Sequence, residues 1–306
     1  MIKKILDGFF FIQRGWLSGN HFVFNGRQKV LIDTGYQGDL SLTLELIEEA
    51  GVPVPQVDLI ISTHSHCDHV GANRLIQERS GCQVAMHTID KHYVETKNDW
   101  FTWWRYYDQE AEFFHVDLEL QEGQSVFLDG LELVVLHTPG HASGQISLYS
   151  PEHKFLLSAD AIWDGDFGAL TPRIEGNISP FLQHQTLDKL AALDLAAIYP
   201  GHGSPVFQPQ EALKRGLKRV EAFLENPQLM AKDQVKKLFI YILLMKSGYR
   251  EEEFFGYLMR THWYRETVDL FFQGCYEDVY REILQELLQK GLVKRSNDHL
   301  VTTVRA

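Results

Sequence analysis

Residues Thr63-His64-Ser65-His66-Cys67-Asp68-His69 constrain this chain more than any other segment. They set three imidazoles and a carboxylate within six residues. The apolar run 57–61 before them reads as a buried strand, Ser62-Thr63 ends it, and Val70-Gly71-Ala72-Asn73 opens a helical pattern. The donors therefore fall on a strand-to-helix loop, where backbone turns can aim several side chains at one point. Neutral imidazole nitrogen and carboxylate oxygen are ligands preferred by zinc and similar first-row metals.

Further donors follow apolar strands in the same way. Run 131–136 precedes Thr138-Pro139-Gly140-His141, run 154–157 precedes Ser158-Ala159-Asp160, and run 196–199 precedes Pro200-Gly201-His202-Gly203. Earlier, Leu31-Ile32-Asp33-Thr34-Gly35 ends a strand in an aspartate turn. This set, with the H-x-H-x-D-H spacing at 64–69, resembles the metallo-β-lactamase superfamily, and within it the hydroxyacylglutathione-hydrolase-like group. The resemblance spans about the first 210 residues. It implies an α/β fold, a four-layer αβ/βα sandwich with metals at one sheet edge. It also implies that His64, His66 and His141 bind one metal, that Asp68, His69 and His202 bind a second, and that Asp160 bridges them. Two zinc ions per chain are expected, and iron or manganese would also suit these ligands. Such a pair activates a hydroxide and polarises the substrate oxygen. Asp68 would orient the hydroxide and pass on its proton. Asp33, the second expected catalytic residue, would accept a hydrogen bond from a ligand imidazole and fix its tautomer.

The rest of the chain fits this expectation. Residues 9–12 and 21–24 read as paired strands, Asn25-Gly26 as a hairpin turn, and 29–32 as the returning strand. Helical spacing covers 40–50, with Gly51 at its stop. Strands alternating with helices imply layered sheets. The length suggests two domains, with 1–210 catalytic and 211–306 a smaller helical unit. In the latter, helices over 212–224, 234–245 and 276–289 precede a hairpin at 292–303, so it resembles a winged-helix module.

Between 93 and 114 lie nine aromatic residues, among them Trp103, Trp104 and Tyr107. They could wall a substrate pocket, form a homodimer contact, or pack as an amphipathic helix. Trp163, three residues after Asp160, is a fourth candidate for touching substrate. Cys67, Cys82 and Cys275 are few and dispersed, which argues against a disulfide framework and fits a reducing, cytoplasmic setting. Asp7 and Gly8 interrupt the apolar stretch after Lys3-Lys4, so no signal peptide is expected. Without an apolar run of about 18 residues, no membrane partner is expected either.

Charge bears on the substrate. The chain carries a net charge of −12. From residue 212 onward there are 16 Lys/Arg and 13 Asp/Glu, so that part is at +3 and the catalytic part near −15. Lys214, Arg215, Lys218 and Arg219 make a short basic face, but a nucleic-acid partner is disfavoured for so acidic a catalytic part. A small-molecule substrate is expected. Within the resembled family, Asp160 argues against antibiotic hydrolysis, since zinc β-lactamases lack the bridging carboxylate. Gly203 after His202 departs from the Gly-His-Glu common in glutathione thioesterases, and Trp163 stands where acyl-homoserine lactonases place tyrosine. The expected activity is hydrolysis of a small carboxyl ester, thioester or lactone. The alternatives are a phosphodiesterase or ribonuclease on the same metals, and a non-catalytic metal-binding sensor.

Overall fold

Short strands whose apolar residues alternate sides build two sheets that can bury both faces. The computed structural model describes residues 1–305. The first sheet runs in chain order through β1 (Ile2–Leu6), β2 (Phe9–Ile12), β3 (His21–Asn25), β4 (Lys29–Ile32), β5 (Leu59–Ile61), β6 (Gln83–His87) and β7 (Leu118–Leu120). Its first four strands are antiparallel and the rest continue in parallel. The second sheet contains β8 (Ser125–Leu128), β9 (Leu131–His137), β10 (Ile146–Ser150), β11 (Phe155–Ala159) and β12 (Ala197–Pro200), ordered β12-β11-β10-β9-β8. There β11 and β12 are parallel and the other neighbours antiparallel.

Strand alternation decides which core each side chain joins. Val30 and Ile32 point between the sheets, where Phe9, Phe11 and Phe22 meet Leu133, Ile146 and Phe155. Leu31 points the other way, beneath α1 (Leu40–Glu49), α2 (Cys67–Val70), α3 (Asn73–Ser80) and α4 (Thr88–Glu95), where Ile47 and Ile76 cover Ile60 and Val84. On the far side, α5 (Pro172–Glu175), α6 (Ser179–Ala191) and α7 (Pro209–Glu225) follow, and Leu187 and Leu213 cover Leu156 and Ile198. The result is helix, sheet, sheet, helix: the α/β four-layer sandwich expected from the sequence. The boundary expected at 210/211 falls at the start of α7, whose Ala212, Leu213 and Val220 share that outer core with α6.

Asn226 then caps α8 (Pro227–Met245), its side chain accepting from the Gln228 N–H with Pro227 in the first turn. The remaining elements are β13 (Tyr249–Arg250), α9 (Glu251–Leu258), α10 (His262–Phe272), α11 (Tyr276–Gln289), β14 (Val293–Ser296) and β15 (His299–Thr302), with a small sheet ordered β13-β15-β14. Phe239, Phe254, Trp263 and Ile283 form the core of this part, and Tyr106 and Tyr107 of the aromatic segment insert into it. That segment is not an amphipathic helix. Helix α4 ends at Glu95, and Trp103 and Asp108 have positive φ, +71° and +55°, which a right-handed helix excludes. Among the described residues no helix is long and apolar enough to cross a membrane.

Phe9 is fully buried and lies about 6 Å, ring to ring, from Phe22, Phe24 and Phe155. Phe9→Ala is expected to cost about 3–5 kcal/mol of unfolding free energy. Denaturant unfolding checks this, and a loss below about 1 kcal/mol would contradict the packing of the two sheets.

Candidate metal centre

Both sheets end at one shared edge, and the expected donors occupy the loops there. Strand β5 leads to His64, His66, Asp68 and His69; β9 leads to His141; β11 to Asp160; and β12 to His202. Their ligating atoms form three overlapping groups, each within 4.8 Å: His64, His66 and His141; His64, His69 and Asp160; Asp68, His69 and His202. The first and third are the sets assigned to separate metals from the sequence, and Asp160 lies between them. Its Oδ1 is 3.6 Å from His69 Nε2, and its Oδ2 is 3.4 Å from His141 Nε2 and 3.8 Å from His202 Nε2. Asp68 Oδ2 is 3.2 Å from His202 Nε2 and 3.9 Å from His69 Nε2.

These spacings suit a cation. Bonds of about 2.0–2.2 Å to a tetrahedral zinc put neighbouring ligand atoms roughly 3.3–3.6 Å apart. The Nε2 atoms of His64, His66 and His69 are buried without a hydrogen-bond partner among the described residues, a costly state for polar atoms. His66 Nδ1 faces His141 Nε2 at 2.9 Å, where two lone pairs would repel unless a proton or cation lay between them. The outward ring nitrogens are occupied: His69 Nδ1 at 2.8 Å from Asp33, His141 Nδ1 donating to the Ala169 carbonyl at 2.7 Å, and His64 Nδ1 at 3.0 Å from the Thr63 hydroxyl. These bonds turn Nε2 inward.

Charge and burial reinforce the geometry. Burial holds the His64 and His66 imidazoles well below their ordinary range, and neighbouring imidazoles add to this. His141 is likewise lowered by burial. For His69 and His202, burial also opposes protonation, but Asp160 and Asp68, joined by Asp33 at His69, outweigh it and raise both. Asp160 is buried, yet His202, His69 and His141 hold its carboxyl well below the usual range. The site is an anionic, imidazole-lined cage that gains from positive charge. Close approach requires two glycines: a Cβ at Gly201 would lie 2.3 Å from Asp160 Oδ1, and one at Gly168 would lie 2.3 Å from His141 Nδ1.

Asp33 is buried and does not border the cavity; it accepts from the Thr63 N–H and hydroxyl and bonds His69, the donor-positioning contact expected of it, and touches no reacting atom. One sequence expectation needs correction: Trp104 does not border the cavity. Its indole sits in the outer core and donates to the Ser65 carbonyl, 2.9 Å away. Trp103, Tyr107 and Trp163 do border the cavity of about 440 Å³ that opens on the donors. Trp103 lies 3.8 Å from the His66 ring, centre to centre, and Trp163 donates to Asp160 Oδ1 at 3.2 Å. Cys67 is a buried thiol that burial raises well above its ordinary pKa, its Sγ 3.4 Å from the Tyr241 hydroxyl.

Sequence reasoning missed several residues at the site. Trp16 stacks on His202, its ring 5.5 Å away at 3°. Glu175 accepts from Trp103 Nε1 at 2.7 Å and from the Ser143 N–H at 2.8 Å, tying two site loops together. Tyr241 and Lys237 reach the cavity from α8. A lone tryptophan before a glycine-rich turn and residues on a distant helix carry no local signal of this role.

Asp33→Asn should weaken metal affinity about 10- to 100-fold, because the amide cannot serve both the Thr63 donors and His69 as the carboxylate does. Competition with a chromogenic chelator measures this, and unchanged affinity would refute the positioning role.

The metallo-beta-lactamase superfamily pattern matches residues 14–202. Hydroxyacylglutathione hydrolase GloC of Haemophilus influenzae is 27% identical over 210 residues, which cover 65% of this chain and 89% of that protein. The acyl-coenzyme A thioesterase MBLAC2 of Homo sapiens is 29% identical over 193 residues, 53% of this chain and 66% of that protein. A metallo-beta-lactamase family protein of Thermus thermophilus has a similar fold over 98% of this chain and 100% of its own, with a TM-score of 0.64 at 20% identity. With the family pattern covering more than half of the sequence and the donors gathered at one sheet edge, this chain belongs to the metallo-beta-lactamase superfamily as a metal-dependent hydrolase.

Proposed function

We propose that the chain is a two-zinc hydrolase of carboxylic thioesters, esters or lactones. His64, His66 and His141 would hold one ion, Asp68, His69 and His202 the other, with Asp160 shared. The bound ions would supply Lewis acidity toward a substrate carbonyl and activation of water. The chain's own residues do the rest. Asp68, whose side chain keeps 13% of its surface open where Asp160 keeps 6%, would accept a proton and return it to the leaving group. Trp163 fixes Asp160 through its indole N–H. Trp16, Trp103 and Trp163 border the donors.

The observation that carries this reading is the cavity itself, which runs from the donors onto an apolar wall. A phosphodiester fits less well, because the cations nearest the site already have partners. Arg219 and Lys237 bind Asp166 and Asp233, while Lys236 and Lys290 share Glu286. Arg215, on the basic face of α7, pairs with Asp164. The two relatives named above act, by their names, on acylated thiols, which agrees with the proposed substrate class.

Paired rate measurements on zinc-loaded protein test the reading, one arm with an activated thioester and ester, the other with an activated phosphodiester. Turnover is expected in the carboxyl arm, and Asp68→Ala should lower it about 100- to 10,000-fold. Turnover confined to the phosphodiester arm would overturn the proposal.

A further inference from the structure

Helix α8 places Asp233, Lys236, Lys237, Ile240, Tyr241 and Leu244 along the cavity, at the three- and four-residue spacing of one helix face. The face changes character along its length. Its first turns are charged and its last turns are apolar. Leu287 of α11, Leu292 and Val304 also border the cavity, with Lys290, paired to Glu286, among them. The tail that carries Val304 is tied to the lip of the site, since the Trp16 N–H donates to the Arg305 carbonyl at 3.0 Å. Trp16 in turn stacks on His202. One cavity therefore borders both the donors and a wall built by the C-terminal part of the chain.

We propose that this wall is an acyl channel, and that the preferred substrate is a thioester or ester of an extended apolar acid. This rests on the reading of the site as a carboxylic thioester or ester hydrolase. The cavity of about 440 Å³ exceeds what an acetyl group needs. It falls within the range of about 300–1,000 Å³ typical of small-molecule pockets. Ile240, Tyr241, Leu292 and Val304 border this space and are each part-exposed, so an apolar chain laid along them would remove apolar surface on both sides from water. The charged turn at the other end of α8 is internally neutralised: Lys237, with Asp166 and Asp233 raising its pKa against the effect of burial, holds its proton and stays paired. That end offers polar contacts to the remainder of the substrate without a free cation. Ile240 stands at the junction of the sandwich core and the C-terminal core, where a larger side chain would close the channel.

The test is a series of thioesters of one common thiol, from acetyl to octanoyl, hydrolysed by the zinc-loaded full chain. kcat/KM should rise about fourfold per methylene until the channel is filled. Ile240→Trp should flatten the series. Calorimetric binding of octanoate against acetate reads the same channel without turnover, and octanoate should bind tighter by a similar factor per methylene. Turnover that is flat across the wild-type series overturns the channel while leaving the hydrolase reading intact. Octanoate binding no tighter than acetate also overturns it. Tighter octanoate binding without thioester or ester turnover would support the channel and count against the hydrolase reading instead.

Discussion

Two carboxylates surrounded by five imidazoles, nearly sealed from water, are the constraint on which the rest of this protein depends. Removing Asp68 and Asp160 from solvent is costly unless positive charge accompanies them. Protons on His69 and His202 can supply some of it, and the raised pKa of both imidazoles shows the pull. A divalent ion supplies more, and from the distances at which the unpartnered nitrogens already point. The donor set therefore asks for metal on grounds of electrostatics as well as of family membership.

The sandwich serves this cluster by bringing strand ends together. Four strands from two sheets deliver seven donors to one edge, and each donor lies within eight residues of its strand's end. Backbone shape sharpens the convergence. Asp33 sits at φ +60° and Ala159 at φ +46°, conformations that side chains seldom adopt and that turn the chain abruptly at the strand ends. The strain at Ala159 is absorbed beside Asp160, where the Gly201 N–H donates to the Ala159 carbonyl at 2.7 Å. Helix α8 then closes the cavity from outside the sandwich, and its half-buried Lys237 lies over the Trp163 ring at 5.3 Å. The metal edge and the C-terminal part thus share one wall.

Much of this was legible in the chain because its signals are local. The spacing of His64, His66, Asp68 and His69, and the apolar strands before His141, Asp160 and His202, are short-range patterns. So are the turn at Asn25-Gly26 and the stop at Gly51. What was illegible depends on contacts between distant segments. β1 was missed because Lys3 and Lys4 break its apolar pattern, as suits an edge strand that pairs on one side. Helices α9 and α10 were missed because aromatic residues and Gly256 weaken their helical signal, and their formation rests on packing against α8. Trp103 and Trp104 are adjacent in sequence, yet one meets the metal site and the other the outer core, a choice made by the positive φ at Trp103. No composition argument could separate them.

The proposed site would hold two ions with Asp160 between them. Anomalous diffraction from crystals of the zinc-loaded protein, recorded on both sides of the zinc absorption edge, tests it directly. Two peaks about 3.5–4 Å apart are expected, one among His64, His66 and His141 and the other among Asp68, His69 and His202. A single peak, or a pair of peaks that leaves Asp160 outside bonding distance of either, would contradict it.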